Sequence, residues 1–535
     1  MRRASRAELS GPLFDLVVIG GGITGVATAR DAALRGLSVA LIEKDDFAAG
    51  TSSRSSKLIH GGLRYLESYQ FRLVAESVRE RERFLKIAPH LTEVRPFLYL
   101  LYDGYPESRF KLNLGLTFYD AASGAWRKRR HRMLSPEQVL AREPHLAREG
   151  LRGAGMYYDV LTDDARLTVE TANGAADAGA VLMNHAVVES LILDHGTARG
   201  VVVRDLIDGE SIEVHAQRVV NATGPWTDRT RALEHTRSTH ALRPTKGVHI
   251  VLKKRDFPLS TAVFLRSPDD HRVVWPTPSL EDDVVCIGTT DTDYTGDLDD
   301  VHADDRDIRY LLNVANRTIP GAGLTESHVV GSWAGLRPLV APPPGVSESN
   351  TSREHEITTG PTGMITISGG KLTSSRLMAK QVVDAAMAKT RVRSSVAGST
   401  PLPGADATAI AEARRAAETA GVPADLVAVW IRRYGANAGL IVERWAQDPE
   451  SREVIGDRRL TRAEIEYAVT AEMVVSLADL LVRRTAVFFW SADGGLGSAD
   501  QIARELERLV PWPPGRRERE LEEYRALVLR NRPGG

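Results

Sequence analysis

Residues 14–43 read FDLVVIGGGITGVATARDAALRGLSVALIE. Phe14 to Ile19 is a short apolar strand, and residues 20–22 are a glycine turn. Ile23 to Leu34 is a helix rich in small side chains. Gly36 ends it, and Ser38 to Ile42 is a second apolar strand. The order strand, helix, strand is a βαβ unit. Gly20, Gly22 and Gly25 stand in it as G-x-G-x-x-G. Gly20 permits the tight turn, Gly22 lets a pyrophosphate approach the backbone, and Gly25 lets helix and strand pack closely. The phosphates then lie on a helix N-terminus, where unpaired N–H groups and the dipole favour anions. Glu43 ends the second strand, where a carboxylate can hold ribose hydroxyls.

Two later segments repeat the theme of a glycine turn after a strand. Asn221-Ala222-Thr223-Gly224 brings backbone towards the dinucleotide, with Thr223 and Gly224 as contacts. Gly369-Gly370-Lys371-Leu372-Thr373 opens another helix, with Gly370, Lys371 and Thr373 as contacts. A second helix N-terminus suits a flavin, whose reduced ring carries negative charge, and favours FAD over a nicotinamide. The Ser- and Gly-rich loop 50–62 adds Ser52, Ser53, Ser56 and Lys57 as hydrogen-bonders to pyrophosphate or ring, and His60 and Gly61 as flavin supports.

At 535 residues the chain is too long for one core, and two to four domains are expected. A net charge of -1 argues against nucleic acid as a partner. Cys286 is the sole cysteine, which excludes internal disulfides and Cys-rich metal sites. The N-terminus has no signal-peptide pattern, and no run of 18 uncharged apolar residues predicts a spanning helix; surface attachment to a membrane stays open. The acidic turn at Asp291, Asp293, Asp297, Asp299 and Asp300 lacks calcium-loop spacing and reads as solvated, so no metal is expected. Tyr157 and Tyr158 read as core.

Short β-like runs at 248–252, 261–265, 272–275, 284–287 and 329–333 predict a mostly antiparallel substrate domain. Beyond 397–405 the chain reads as helical, at 411–420, 423–433 and 462–486. The expected fold class is α/β, in six segments. Residues 1–65, 151–235 and 351–395 form an FAD-binding domain. Residues 66–150 form a helical, membrane-facing insertion. The substrate domain is 236–350, and a C-terminal helical domain is 396–535.

Across most of residues 14–380 the sequence resembles the FAD-dependent, respiratory glycerol-3-phosphate dehydrogenases. The narrowest matches are SSKLIHGGLRYLE (55–67), DDARL (163–167), NATGPW (221–226), KGVHIVL (246–252), IGTTD (287–291), GLRPL (335–339) and SGGKLTSSR (368–376). The resemblance implies a glutathione-reductase-like FAD-binding fold, quinone as electron acceptor, peripheral attachment to the cytoplasmic face of the membrane, and often a homodimer. The implied reaction oxidises sn-glycerol 3-phosphate to dihydroxyacetone phosphate, with hydride passing from C2 to FAD N5. By the same resemblance Arg64 and Arg337 match active-site arginines, whose forked guanidinium suits phosphate. Tyr65 adds a phenolic hydrogen bond. His249, on the strand face opposite Val248 and Ile250, is the candidate base for the hydroxyl proton. Lys371 is placed to bind alkoxide or phosphate, or to favour reduced flavin. A flavin oxidase of the same fold, using oxygen on glycerol 3-phosphate, a 2-hydroxy acid or an amine, is the competing reading. Trp126 and the run Arg127-Lys128-Arg129-Arg130-His131-Arg132, after the apolar and basic residues 109–119, form the expected contact with anionic lipid.

Overall fold

A computed structural model describes the chain apart from residues 68, 125–128, 236–241, 268–269, 281–282, 341–353 and 534–535. Two sheets organise it. The first has a parallel core in the order Ile365–Ser368, Ser211–Asn221, Phe14–Ile19, Val39–Ile42, Val181–Met183. The hairpin Ala186–Asp194 and Thr197–Asp205 extends Ser211–Asn221 in antiparallel fashion. All four residues of Val39–Ile42 are buried, as a strand covered on both faces requires. Helices Ile23–Leu34, Asp164–Asp177 and Ser375–Ala386 supply apolar side chains to the core against this sheet, among them Val26, Val169 and Val382. The Gly20 turn, the Thr223 turn and the Gly369 turn all follow the carboxyl ends of adjacent parallel strands, which is where such folds bind ligands.

The second sheet is mostly antiparallel and is centred on Leu242–Lys253, paired with Val284–Gly288 on one side and Val329–Val340 on the other. Alternation along Leu242–Lys253 sends Val248, Ile250 and Leu252 into the core beneath helix Asp305–Thr318. His249 and Val251 lie on the opposite face.

This sheet also draws in residues expected elsewhere. Thr92–Tyr102, inside the expected helical insertion, is a strand paired along its length with Leu151–Thr162 and in parallel with Ala262–Arg266. Leu151–Thr162 thus joins the substrate sheet and not the dinucleotide sheet. Pro96, which offers no N–H, is tolerated because the parallel pairing begins only at Phe97. The rest of the insertion holds helices Phe71–Ile87, Arg109–Ser123 and Pro136–Arg142 and a short strand, Arg132–Leu134, that pairs with Leu151–Thr162.

The C-terminal region is helical, as expected, with one difference. The predicted helix over 462–486 breaks. Arg462–Glu472 ends at Met473, which takes a left-handed φ of 59°, and a π-helical turn follows at Asp479–Arg484. Buried charge explains the break. Arg483 and Arg484 both reach Asp46, at 2.6 and 2.7 Å, and Asp479 accepts from the backbone N–H groups of Val475 and Ser476. These bonds hold the segment to the loop after Val39–Ile42.

Candidate active site

The glycine turns enclose a cavity of about 440 Å³ lined by Gly20, Gly22, Glu43, Ser52, Thr223, Gly224, Gly370 and Lys371. Its shape depends on missing side chains. Gly20 has φ 109°, and a Cβ there would stand 2.7 Å from Ala222 O. A Cβ on Gly25 would stand 1.8 Å from Gly20 O, so only glycine lets this helix meet its strand. Glu43 accepts from Gly21 N at 2.5 Å and Asp45 N at 2.8 Å, which ties the acid to the turn it faces. Burial, with Asp45 adding to it, pushes the Glu43 carboxyl up to about 7. Ser52 Oγ accepts from Ile23 N at 2.9 Å and folds the 50–53 loop over the helix N-terminus. Backbone-lined walls at a helix start, closed by an acid, fit an FAD pyrophosphate and ribose.

Beside it lies a second cavity of about 510 Å³. His60, Arg64, Tyr65, Tyr157, Asp159, Arg243, Arg272, Trp275 and Arg337 are among its walls. Arg337 Nη1 donates to Asp291 at 2.9 Å, and Nη2 to Thr289 Oγ1 at 3.1 Å. Gly247 makes room for that guanidinium, since a Cβ there would meet Nη2 at 2.5 Å. Arg64 and Tyr65 follow His60-Gly61-Gly62. The loop is held from below, where Gly61 N donates to Tyr119 Oη at 2.8 Å and Tyr119 donates to Asp159 at 2.8 Å. The cavities meet where Lys371 Nζ lies over the Tyr65 ring.

His249 is buried, stacked on Trp333 at 5.0 Å and 13°, with Nε2 2.9 Å from Ser56 Oγ. Burial, with Arg337 and Lys57 adding to it, pushes its imidazole down to about 3, so the ring is neutral at physiological pH.

Six expected cofactor contacts stand outside the nucleotide cavity. Lys57 is buried and its ammonium pairs with Asp164 at 2.6 Å, 4.5 Å from the Phe489 ring. A buried cation needs such a partner, and Asp164 supplies it in place of a phosphate. Ser56 meets His249. Ser53 is buried, its Oγ directed to Gly50 O. Gly61 is packed against Val78 and Tyr119. Thr373 Oγ1 donates to His60 O at 3.2 Å, tying the late glycine turn to the substrate loop. His60 itself lines the second cavity. Asp291, read as solvated, is the largely buried partner of Arg337. Tyr157 is core and cavity wall at once. Sequence reasoning missed Arg243 and Arg272. Arg272 opens the predicted strand at 272–275, and a cation at that end of the sheet containing Arg337 was the available signal.

The paired cavities and the parallel sheet define an FAD-dependent oxidoreductase. The family model described as FAD dependent oxidoreductase matches residues 15–385, and the one described as C-terminal domain of alpha-glycerophosphate oxidase matches 395–517. The chain is 36% identical to the aerobic glycerol-3-phosphate dehydrogenase of Staphylococcus haemolyticus, over 96% of this chain and 93% of that one. It is 35% identical to the Bacillus subtilis protein of the same name, over 97% and 96%. The structure of glycerol-3-phosphate dehydrogenase from Bacillus halodurans complexed with FAD superposes with a TM-score of 0.83 at 32% identity, covering 98% of this chain and 96% of that one. The chain belongs to the FAD-dependent glycerol-3-phosphate dehydrogenase family, whose reaction is oxidation of glycerol 3-phosphate.

Proposed function

We propose that the chain oxidises sn-glycerol 3-phosphate to dihydroxyacetone phosphate and passes the electrons to a membrane quinone. FAD, which the turns at Gly20, Thr223 and Gly370 and the Glu43 carboxyl would hold, would supply the hydride acceptor and the two electrons for the quinone. The observation that carries the reading is the second cavity. Arg64, Arg272 and Arg337 stand around it, beside the Lys371 that also walls the nucleotide pocket. Arginine forks grip the phosphate, Tyr65 donates a hydrogen bond, and Lys371 draws the C2 oxygen or the phosphate towards the flavin side. His249, kept neutral, takes the hydroxyl proton.

An exposed apolar face supports the membrane as the place of work. Tyr69 is 75% exposed, Phe71 46%, Phe110 78% and Leu114 61%, at the start of Phe71–Ile87 and along Arg109–Ser123. Within the expected lipid-binding segment Leu112, Leu116 and Tyr119 are core, and His131 is buried against Asp120 at 2.7 Å. Trp126, Arg127 and Lys128 lie outside the described residues. Among the described residues no helix is long and apolar enough to cross a membrane. Phe110→Ser with Leu114→Ser is expected to release the protein from anionic vesicles and leave dye-linked activity intact. Turnover with a soluble quinone analogue is expected to exceed turnover with oxygen. Rapid peroxide release in air would favour the oxidase reading, which the family name matched at 395–517 keeps in view.

A further inference from the structure

The acidic turn after Thr292–Asp293 is exposed, yet its carboxylates do not simply face water. Asp299 Oδ1 accepts from Lys44 Nζ at 2.5 Å and from Trp226 Nε1 at 2.8 Å, and its Oδ2 accepts from Arg229 Nη1. Asp297 accepts from Arg229 Nη2 at 3.1 Å. The turn is shaped for these contacts by its own bonds. Tyr294 Oη donates to Asp297 O at 2.8 Å, and Asp299 N donates to Asp297 Oδ1 at 3.1 Å.

Lys44, Trp226 and Arg229 all line the nucleotide cavity. They come from two different turns. Lys44 follows Val39–Ile42, whereas Trp226 and Arg229 follow Ser211–Asn221. Those strands flank Phe14–Ile19 on its two sides, so the two turns stand on either side of the Gly20 turn. Their side chains meet across it, with Lys44 Nζ 4.5 Å from the centroid of the Trp226 ring. The far end of the indole reaches the 50–53 loop, where a Cβ on Gly50 would come within 2.9 Å of Trp226 Cζ3. Three walls of the cavity thus converge on one indole, and a carboxylate from the substrate domain holds its N–H. With that carboxylate gone, Lys44 and Arg229 repel each other and the indole loses its acceptor.

We infer that Asp299 is a positioning residue for FAD, holding Lys44, Trp226 and Arg229 as one wall across the Gly20 turn so that the bound cofactor is slow to leave. The inference rests on FAD filling that cavity, and is independent of the substrate and of the electron acceptor. The ion pairs are partly exposed, so salt screens them. Cofactor release is therefore faster at high ionic strength.

The test follows the rise in flavin fluorescence as FAD leaves the loaded protein on dilution. Asp299→Ala is expected to release FAD roughly tenfold faster than wild type at low salt, the scale of a small network of exposed ion pairs. Added salt speeds the wild type towards the variant and changes the variant little. Lys44→Met alone accelerates release, but adds little in the Asp299→Ala background, because the two residues act through one contact. Asp300→Ala is the control, since that carboxylate pairs instead with Arg530 at 2.8 Å, and it keeps the wild-type rate. Where Asp299→Ala purifies without FAD, Asp299→Asn, which keeps an acceptor for the indole, is compared in its place. Release from the Asp299 variants at the wild-type rate, or additive effects of Asp299→Ala and Lys44→Met, would overturn this role. Equal acceleration by Asp300→Ala would overturn it too, since any damage to the turn would then suffice. A wild type with no FAD to release would instead remove the cofactor from the cavity.

Discussion

The ammonium of Lys371 lies 3.8 Å over the centroid of the Tyr65 ring. Lys371 is a wall of the nucleotide cavity and Tyr65 a wall of the substrate cavity, so this contact is where they join. A cation–π contact of this kind is worth about 0.5–2 kcal/mol, less than a desolvated ion pair with phosphate or alkoxide, so an arriving substrate can draw the ammonium away. Lys371→Met is expected to keep FAD and to lower kcat/KM for glycerol 3-phosphate by more than tenfold. Steady-state kinetics with an artificial dye checks it, and unchanged kcat/KM would take Lys371 out of the substrate site.

Arg337 makes the second prediction. Losing a buried charged contact costs about 2–5 kcal/mol, so Arg337→Ala should lower turnover of glycerol 3-phosphate well over tenfold. That change also removes the Asp291 ion pair, at 2.9 Å. Adding Asp291→Asn is expected to recover thermal stability but not turnover. Recovery of turnover as well would mean that Arg337 serves Asp291 rather than a phosphate.

Lys57 and Asp164 form a buried pair at 2.6 Å, and breaking such a pair from one side costs about 3–5 kcal/mol. Lys57→Met should therefore lower the urea midpoint strongly, while the protein that remains folded keeps its FAD spectrum. FAD loss at unchanged stability would return Lys57 to the cofactor.

Glu43 gives a pH prediction. Its carboxyl rises from 4.5 to about 7 on folding, because burial penalises the charged form. Across that window the folded protein holds a proton that the unfolded chain has released. Stability is therefore highest below 4.5, falls as pH rises, and has lost this contribution above about 7. Glu43→Gln cannot ionise. In FAD-stripped protein its melting temperature should gain on wild type between those two values and hold a constant lead above them. A gap that does not vary with pH would show that Glu43 is not held protonated. With FAD present the same variant should release the cofactor more readily, having lost its ribose carboxylate.

The dinucleotide half of the fold was legible because its signals are local. Gly20, Gly22, Gly25 and Glu43 lie within one βαβ unit, and the turns at Thr223 and Gly370 announce themselves by glycine after an apolar strand. Thr92–Tyr102 was not legible. Its strand character comes from partners some 60 and 170 residues away, and Pro96 masks it. The site divided the same way. Arg64, Tyr65 and Lys371 sit beside glycine turns and Arg337 between Gly335 and Pro338, and the structure brings the two arginines and Tyr65 to the substrate cavity and Lys371 to the nucleotide cavity, in contact with Tyr65. Ser53, Ser56, Lys57, Gly61 and Thr373 share that loop chemistry but turn to buried partners. Strand alternation and the family resemblance singled out His249, whereas Asp164 and Tyr119 are distant from that loop in sequence, and no spacing rule points to them. The π-helical turn at Asp479–Arg484 was hidden for the same reason, since it answers to Asp46 across the domain boundary.

The central claim is that a phosphorylated three-carbon alcohol gives its electrons to FAD in this chain. It is tested most directly by adding sn-glycerol 3-phosphate to the purified FAD-loaded protein without oxygen and following the flavin absorbance. The account predicts rapid bleaching by glycerol 3-phosphate and none by glycerol at the same concentration. A flavin that stays oxidised with glycerol 3-phosphate, or one that glycerol bleaches equally fast, would contradict it.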